Sequence, residues 1–126
     1  MNLRLRKSEL LRHGRDIERV LFRGRRLQAG AVRVYYGPAA EPENRKAGFI
    51  TGGRFPGAVA RNRVRRLLRE IYRTNRELFP VNYDILLRAD RAAAEIGYGE
   101  LKETLLELAG RIPLPVQKSE ARNPKS

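Results

Sequence analysis

The sequence has no cysteine, a single histidine and few acidic residues, and each shortage excludes something. Without thiols there are no disulfide bonds and no thiolate metal sites. The one histidine, His13, lies in a basic stretch beside Gly14 and belongs to no Ser/His/Asp order and no metal-ligand spacing. No run of 18 apolar residues exists, so no transmembrane helix is expected. The opening stretch MNLRLRKSELLRHGR is basic but lacks the continuous apolar core of a signal peptide. An intracellular, cytoplasmic location is the default expectation. With 14 Asp+Glu against 27 Lys+Arg, the formal net charge is +13.

What is present is arginine, unevenly placed. Residues 1–26 hold nine basic and three acidic side chains, and residues 61–76 hold seven arginines and one glutamate. The segment from Glu95 to Leu108 runs the other way, with four glutamates against Lys102. Phosphates would supply the missing counter-charge, so a polyanion is the first candidate partner; the alternative is a solvated arginine-rich surface. The length of 126 residues suits one domain, and 41% hydrophobic content is compatible with a real core. From Pro113 the chain turns polar and proline-punctuated (PLPVQKSEARNPKS), which predicts a folded domain over 1–112 and a flexible tail over 113–126.

Periodicity gives the elements. Ile17, Val20 and Leu21 sit at helical spacing with Gly24 as a stop, giving a helix near 15–23. AVRVYYG (31–37) alternates as a strand, and a weaker strand precedes it near Arg26–Gln28. AGFIT (47–51) is a short strand, and GGRFPG interrupts the pattern. From Ala58 the sequence is helical until Pro80 forbids continuation. YDILLRA (83–89) reads as a buried strand, and Leu101, Leu105 and Leu108 mark a last, acidic helix. Helix, two or three strands, helix, strand, helix make an α+β domain with helices packed on one sheet.

The helix over 61–76 carries the strongest signal. At about 100° per residue from Arg61, the apolar Val64, Leu67, Leu68, Ile71 and Tyr72 span about 240° to 380°. Asn62, Arg65, Arg66, Arg69, Arg73 and Arg76 fall between about 40° and 140°. One stripe docks on the sheet and the other forms a ridge of guanidinium groups. Like charges three and four apart repel by about 0.2–0.5 kcal/mol per pair, with only Glu70 nearby to relieve them. A bound polyanion would remove that cost, and the guanidinium fork suits phosphate. A membrane-surface helix is the competing reading of a basic amphipathic stretch, but ordinary Val, Leu and Ile followed by a strand favour packing on a sheet.

AVARNRVRRLLRE (58–70) resembles the signature of the bacterial ribonuclease P protein family. The matching positions are Arg61, Asn62, Arg63, Arg65, Arg66 and Arg69. LRHGRDIERVLFRG (11–24), VRVYY, AGFITGGRF, YDILLRA and YGELKETLLELAGRI resemble the rest of the family in order, over roughly residues 4–112. The resemblance implies an α/β sandwich of one mixed four-stranded sheet with three helices, in the order αβββαβα, with a left-handed strand–helix–strand crossover. It further implies an RNA-binding subunit that helps a catalytic RNA remove the 5′ leader of precursor tRNA. The partners would be the ribonuclease P RNA and that leader. The magnesium would be required by the RNA, with no cofactor on the protein, which would be a monomer without RNA. The motif residues, with Arg54 and Arg73, would contact RNA. A leader-binding cleft would involve Ile17, Leu21 and Tyr35; the two helix positions hold aliphatic side chains where the family has aromatics. Gly53 and Gly57 also depart from the family, which usually has a basic residue and an asparagine there.

Two other classes compete. For a self-sufficient enzyme, GGRFPG lacks the lysine and hydroxyl of a phosphate-binding loop, and Asp16, Asp84 and Asp90 are widely spaced in sequence. Asp16 reads as a first-turn helix residue and Asp84 as a strand edge. For a general or ribosomal RNA-binding protein, or a DNA reader, the basic ridge would remain. A helix-turn-helix is disfavoured because a strand follows the arginine helix.

Overall fold

A computed structural model describes residues 5–41 and 43–113. The tail expected from 113 onward lies, Pro113 apart, outside the described residues.

Helix α1 (Gly14–Arg23) ends at Gly24, whose N–H donates to the Val20 carbonyl at 3.1 Å. A side chain here would collide with backbone: a Cβ would lie 2.5 Å from Val20 O and 2.6 Å from Tyr36 O. The glycine therefore lets α1 turn directly into strand β1 (Arg25–Ala29). A tight turn with Gly30 at φ 57° leads into β2 (Val32–Pro38), as a two-residue hairpin requires. Strand β3 (Ala47–Thr51), helix α2 (Ala58–Thr74), strand β4 (Tyr83–Ala89) and helix α3 (Tyr98–Arg111) follow, with short 3-10 turns at Lys7–Glu9, Arg76–Leu78 and Arg91–Glu95.

The sheet order is β1-β2-β4-β3. β1 with β2 and β2 with β4 pair antiparallel, while β3 and β4 are parallel and joined through α2. The sheet is thus mixed and four-stranded with three helices, as the family resemblance implies. Because side chains alternate, the central strands bury both faces. Val32, Val34, Tyr36, Ile85, Leu87 and Ala89 join a core with Val64, Leu68, Ile71 and Tyr72 of α2 and Leu101, Leu105 and Leu108 of α3. Tyr35 and Leu86 face the other way, with Val20 and Leu11, and Ile17, Leu21 and Ile50 pack against them. Helix α1 covers one face of the sheet and α2 with α3 the other.

Two sequence expectations are corrected. Helix α2 stops at Thr74, well before Pro80, because neighbouring side chains address its last turn. Thr74 Oγ1 donates to Glu70 O at 2.8 Å and Asn75 Nδ2 to Ile71 O at 2.9 Å. Arg76 consequently leaves the ridge and pairs with Glu9 at 2.8 Å. Asp84 is no strand edge: its side chain is 1% exposed, and Oδ2 accepts from Arg19 Nη2 at 2.6 Å while Oδ1 accepts from the Lys46 N–H at 2.8 Å. A buried carboxylate requires such partners. Residues 10 and 11 carry no periodic signal in the sequence, and the fold places them. Leu10 bridges Ala47 in parallel and the Leu11 N–H donates to Ala47 O at 2.9 Å, so this stretch lies along the open side of β3. Gly48 makes room, since a Cβ there would lie 2.9 Å from Leu86 Cδ1 and 3.1 Å from Leu11 Cβ.

Candidate nucleic-acid interface

Helix α2 buries Val64, Leu68, Ile71 and Tyr72 and leaves Arg61, Asn62, Arg63, Arg65, Arg66 and Arg69 exposed. The stripes read from the sequence are therefore real, with two adjustments. Arg73 is taken up by Glu70, which holds the Glu70 carboxyl below its usual pKa through the Arg73 hydrogen bond. Arg65 donates to Asn62 Oδ1 at 2.8 Å. Among the described residues, Arg61, Arg63, Arg65, Arg66 and Arg69 have no carboxylate partner. The first turn of α2 holds no acidic side chain either, so the positive end of the helix dipole adds to the same field.

The ridge borders two grooves. Asn62, Arg65, Arg66 and Arg69 line one of about 370 Å³ with Leu10, Leu11 and Arg12 opposite and Phe49 between. Arg54 and Arg63 line another of about 500 Å³ with Phe55 and Arg91. The candidate arginines thus serve two surfaces of one helix. Arg12 and Arg91 join them only in three dimensions; the Leu10–Ala47 bridge that brings Arg12 to α2 has no local sequence signal. Gly53 turns at φ 74°, a conformation that favours glycine over a basic side chain, and Arg54 beside it is exposed.

The candidate cleft residues Ile17, Leu21 and Tyr35 do come together, between α1 and the sheet. Tyr35 is 6% exposed and Ile17 and Leu21 are half-buried. Leu11 belongs to this cluster and also lines the Arg12 groove, so the two surfaces adjoin. The sequence reading misses Arg33 and Arg88, which flank Tyr35 and are direct cross-strand partners. Burial pushes the Tyr35 phenol up, but hydrogen bonds and charge from Arg33 and Arg88 outweigh it and its pKa lies below the ordinary tyrosine value. Among the described residues, no three His, Asp or Glu side chains gather into a set that could hold a metal ion, and no helix is long and apolar enough to cross a membrane.

Proteins of similar sequence and fold are known. The family model described as Ribonuclease P matches residues 5–113. The ribonuclease P protein component of Petrotoga mobilis is 33% identical over 111 residues, covering 85% of this chain and 93% of that protein. That of Acidothermus cellulolyticus is 37% identical over 103 residues, covering 81% and 86%. The solved structure of the RNase P protein from Thermotoga maritima superposes with a TM-score of 0.73 at 28% identity, covering 83% of this chain and 98% of that one. The Staphylococcus aureus RNase P protein shares the fold, with a TM-score of 0.69 at 20% identity over 84% of this chain and 95% of that one. A matching order of elements, the Arg61–Asn62–Arg63 ridge and near-complete coverage converge on one conclusion: the chain belongs to the ribonuclease P protein family.

Proposed function

We propose that this chain, a ribonuclease P protein subunit acting in tRNA processing, meets RNA through two adjoining surfaces. The ridge of Arg61, Asn62, Arg63, Arg65, Arg66, Arg69 and Arg73, extended by Arg54, faces the RNA subunit. The Ile17, Leu21 and Tyr35 cleft holds the 5′ leader of precursor tRNA. The observation that carries the reading is the row of exposed guanidinium groups without a carboxylate partner. Such a row is disfavoured in the free protein and favoured against phosphates, whose condensed counterions it displaces. In this reading the RNA subunit, with its magnesium, carries out hydrolysis in the cytoplasm, and the protein screens repulsion between RNA strands and holds the leader.

The test is cleavage of a precursor tRNA by protein alone, by a bacterial ribonuclease P RNA alone, and by both, at low and high magnesium. The protein alone should not cleave; the RNA alone should cleave slowly at high magnesium; together they should cleave at low magnesium. Specific 5′ cleavage by nuclease-treated protein alone would overturn the division of labour. No stimulation of the RNA would return the chain to general RNA binding.

A further inference from the structure

The sheet face beside α1 carries two arginines next to its apolar cluster. Arg33 on β2 and Arg88 on β4 are register partners, directly opposite one another. Like charges in that position destabilise a sheet. The nearest carboxylate to Arg88 is Asp90, at the salt-bridge limit of 4.0 Å. Both side chains share the sheet face of Tyr35, whose phenol their charge draws below the ordinary tyrosine pKa. The Arg33 Nε is buried and has no hydrogen-bond partner among the described residues. On the far side, Gly52 opens the space that Arg88 fills: a Cβ there would lie 2.0 Å from Arg88 Nη2. Two cations are thus held together on the sheet face that carries the Tyr35 phenol.

The Tyr35 phenol adds an O–H donor to the two guanidinium groups. Two planar forks and one hydroxyl, all donors, thus share one sheet face, and the buried Arg33 Nε has no acceptor among the described residues. That set matches the non-bridging oxygens of a phosphodiester. Beside it, Ile17 and Leu21 give an apolar wall without a π-face for a base to stack on. We propose that Arg33, Arg88 and the Tyr35 hydroxyl form a seat for one backbone phosphate of the leader strand, so that the leader is held here by its backbone and not by its bases. The seat rests on the assignment of the leader to this cleft and adds to it the group recognised and two residues that recognise it. Contacts of this kind position a strand without reading its sequence.

The test uses the holoenzyme reconstituted with a bacterial ribonuclease P RNA. Binding of precursor tRNA is compared with binding of mature tRNA for the wild type and for Arg33→Gln, Arg88→Gln and the double variant. A parallel series of precursors carries a single neutral methylphosphonate linkage at successive leader positions. The double variant should lose roughly tenfold or more in precursor affinity, with mature tRNA unchanged. One linkage position should cause a similar loss in the wild type and no further loss in the double variant. If that position weakens the double variant as much as the wild type, or no position has any effect, the seat is refuted. Equal losses for precursor and mature tRNA would also refute it. If the wild type itself binds both tRNAs equally, the leader-cleft reading falls first, and the seat with it. Circular dichroism and thermal melts of the variants separate these outcomes from misfolding.

Discussion

Removal of one carboxylate should cost this protein a large part of its stability. Asp84 is 1% exposed and makes two short hydrogen bonds, 2.6 Å from Arg19 Nη2 and 2.8 Å from the Lys46 N–H, with a longer one of 3.3 Å from the Ala40 N–H. Arg19 also donates to Pro38 O at 3.1 Å, so this cluster pins α1 to the ends of β2 and β4. Asp84→Ala leaves two part-buried backbone donors and one guanidinium without their acceptor. Hydrogen bonds to a charged group contribute about 1.5–3 kcal/mol each. The Arg19 side chain is 29% exposed and recovers some hydration, which places the sum near the lower end, at about 3 kcal/mol. That is a large share of the ~5–15 kcal/mol typical of a domain and corresponds to a fall in Tm of about 15 °C. Arg19→Ala should be milder, about 1–2 kcal/mol, because the two backbone donors still hold the carboxylate. Urea unfolding of the wild type, both single variants and the double variant closes a cycle. The coupling between the two sites should exceed about 1 kcal/mol, with the urea slope unchanged. A loss below about 1 kcal/mol for Asp84→Ala, or losses additive within about 0.5 kcal/mol, would refute the reasoning.

Two further outcomes are expected. Replacing Arg65, Arg66 and Arg69 by Ala should keep the fold and lower the slope of log RNA affinity against log salt by about 0.7–0.9 for each phosphate no longer neutralised; Arg12→Ala should do the same, and an unchanged slope would make the ridge a solvated face. Gly52→Ala should displace the flexible end of Arg88 without unfolding the sheet, and the Tyr35 pKa should then rise, as read by ultraviolet titration of the phenol. A phenol whose folded pKa is lowered adds stability only as pH rises through that value towards the ordinary tyrosine range, and adds none near neutrality. The wild type should therefore gain on Gly52→Ala only at alkaline pH from this source, and a difference confined to neutral pH would contradict it.

The parts legible in the sequence are those with a period. The two stripes of α2, the strands at 47–51 and 83–89 and the leucines of α3 each follow from spacing alone. What spacing does not reveal depends on registers and long-range contacts. Arg33 and Arg88 are 55 positions apart in sequence and meet only through the pairing of β2 with β4. Asp84 looks like a strand terminus until Arg19, from the first helix, is placed against it. Arg12 reaches α2 through a single bridge that leaves no pattern. Arg76 sits at the right helical angle for the ridge, but Thr74 and Asn75 end the helix first. The cleft residues Ile17, Leu21 and Tyr35 follow from family resemblance; spacing alone assigns the first two simply to a core.

The strand order has a consequence for biosynthesis. β4 is the last strand to leave the ribosome, yet it sits between β2 and β3. Until Tyr83–Ala89 emerges, both neighbours have an open inner edge, and the nascent chain has no closed sheet on which α1 and α2 can dock. Closure is therefore a late, long-range event of the kind that is slow and exposes apolar strands. Over that interval the arginine-rich segment is already out, and its self-repulsion keeps unfinished chains apart.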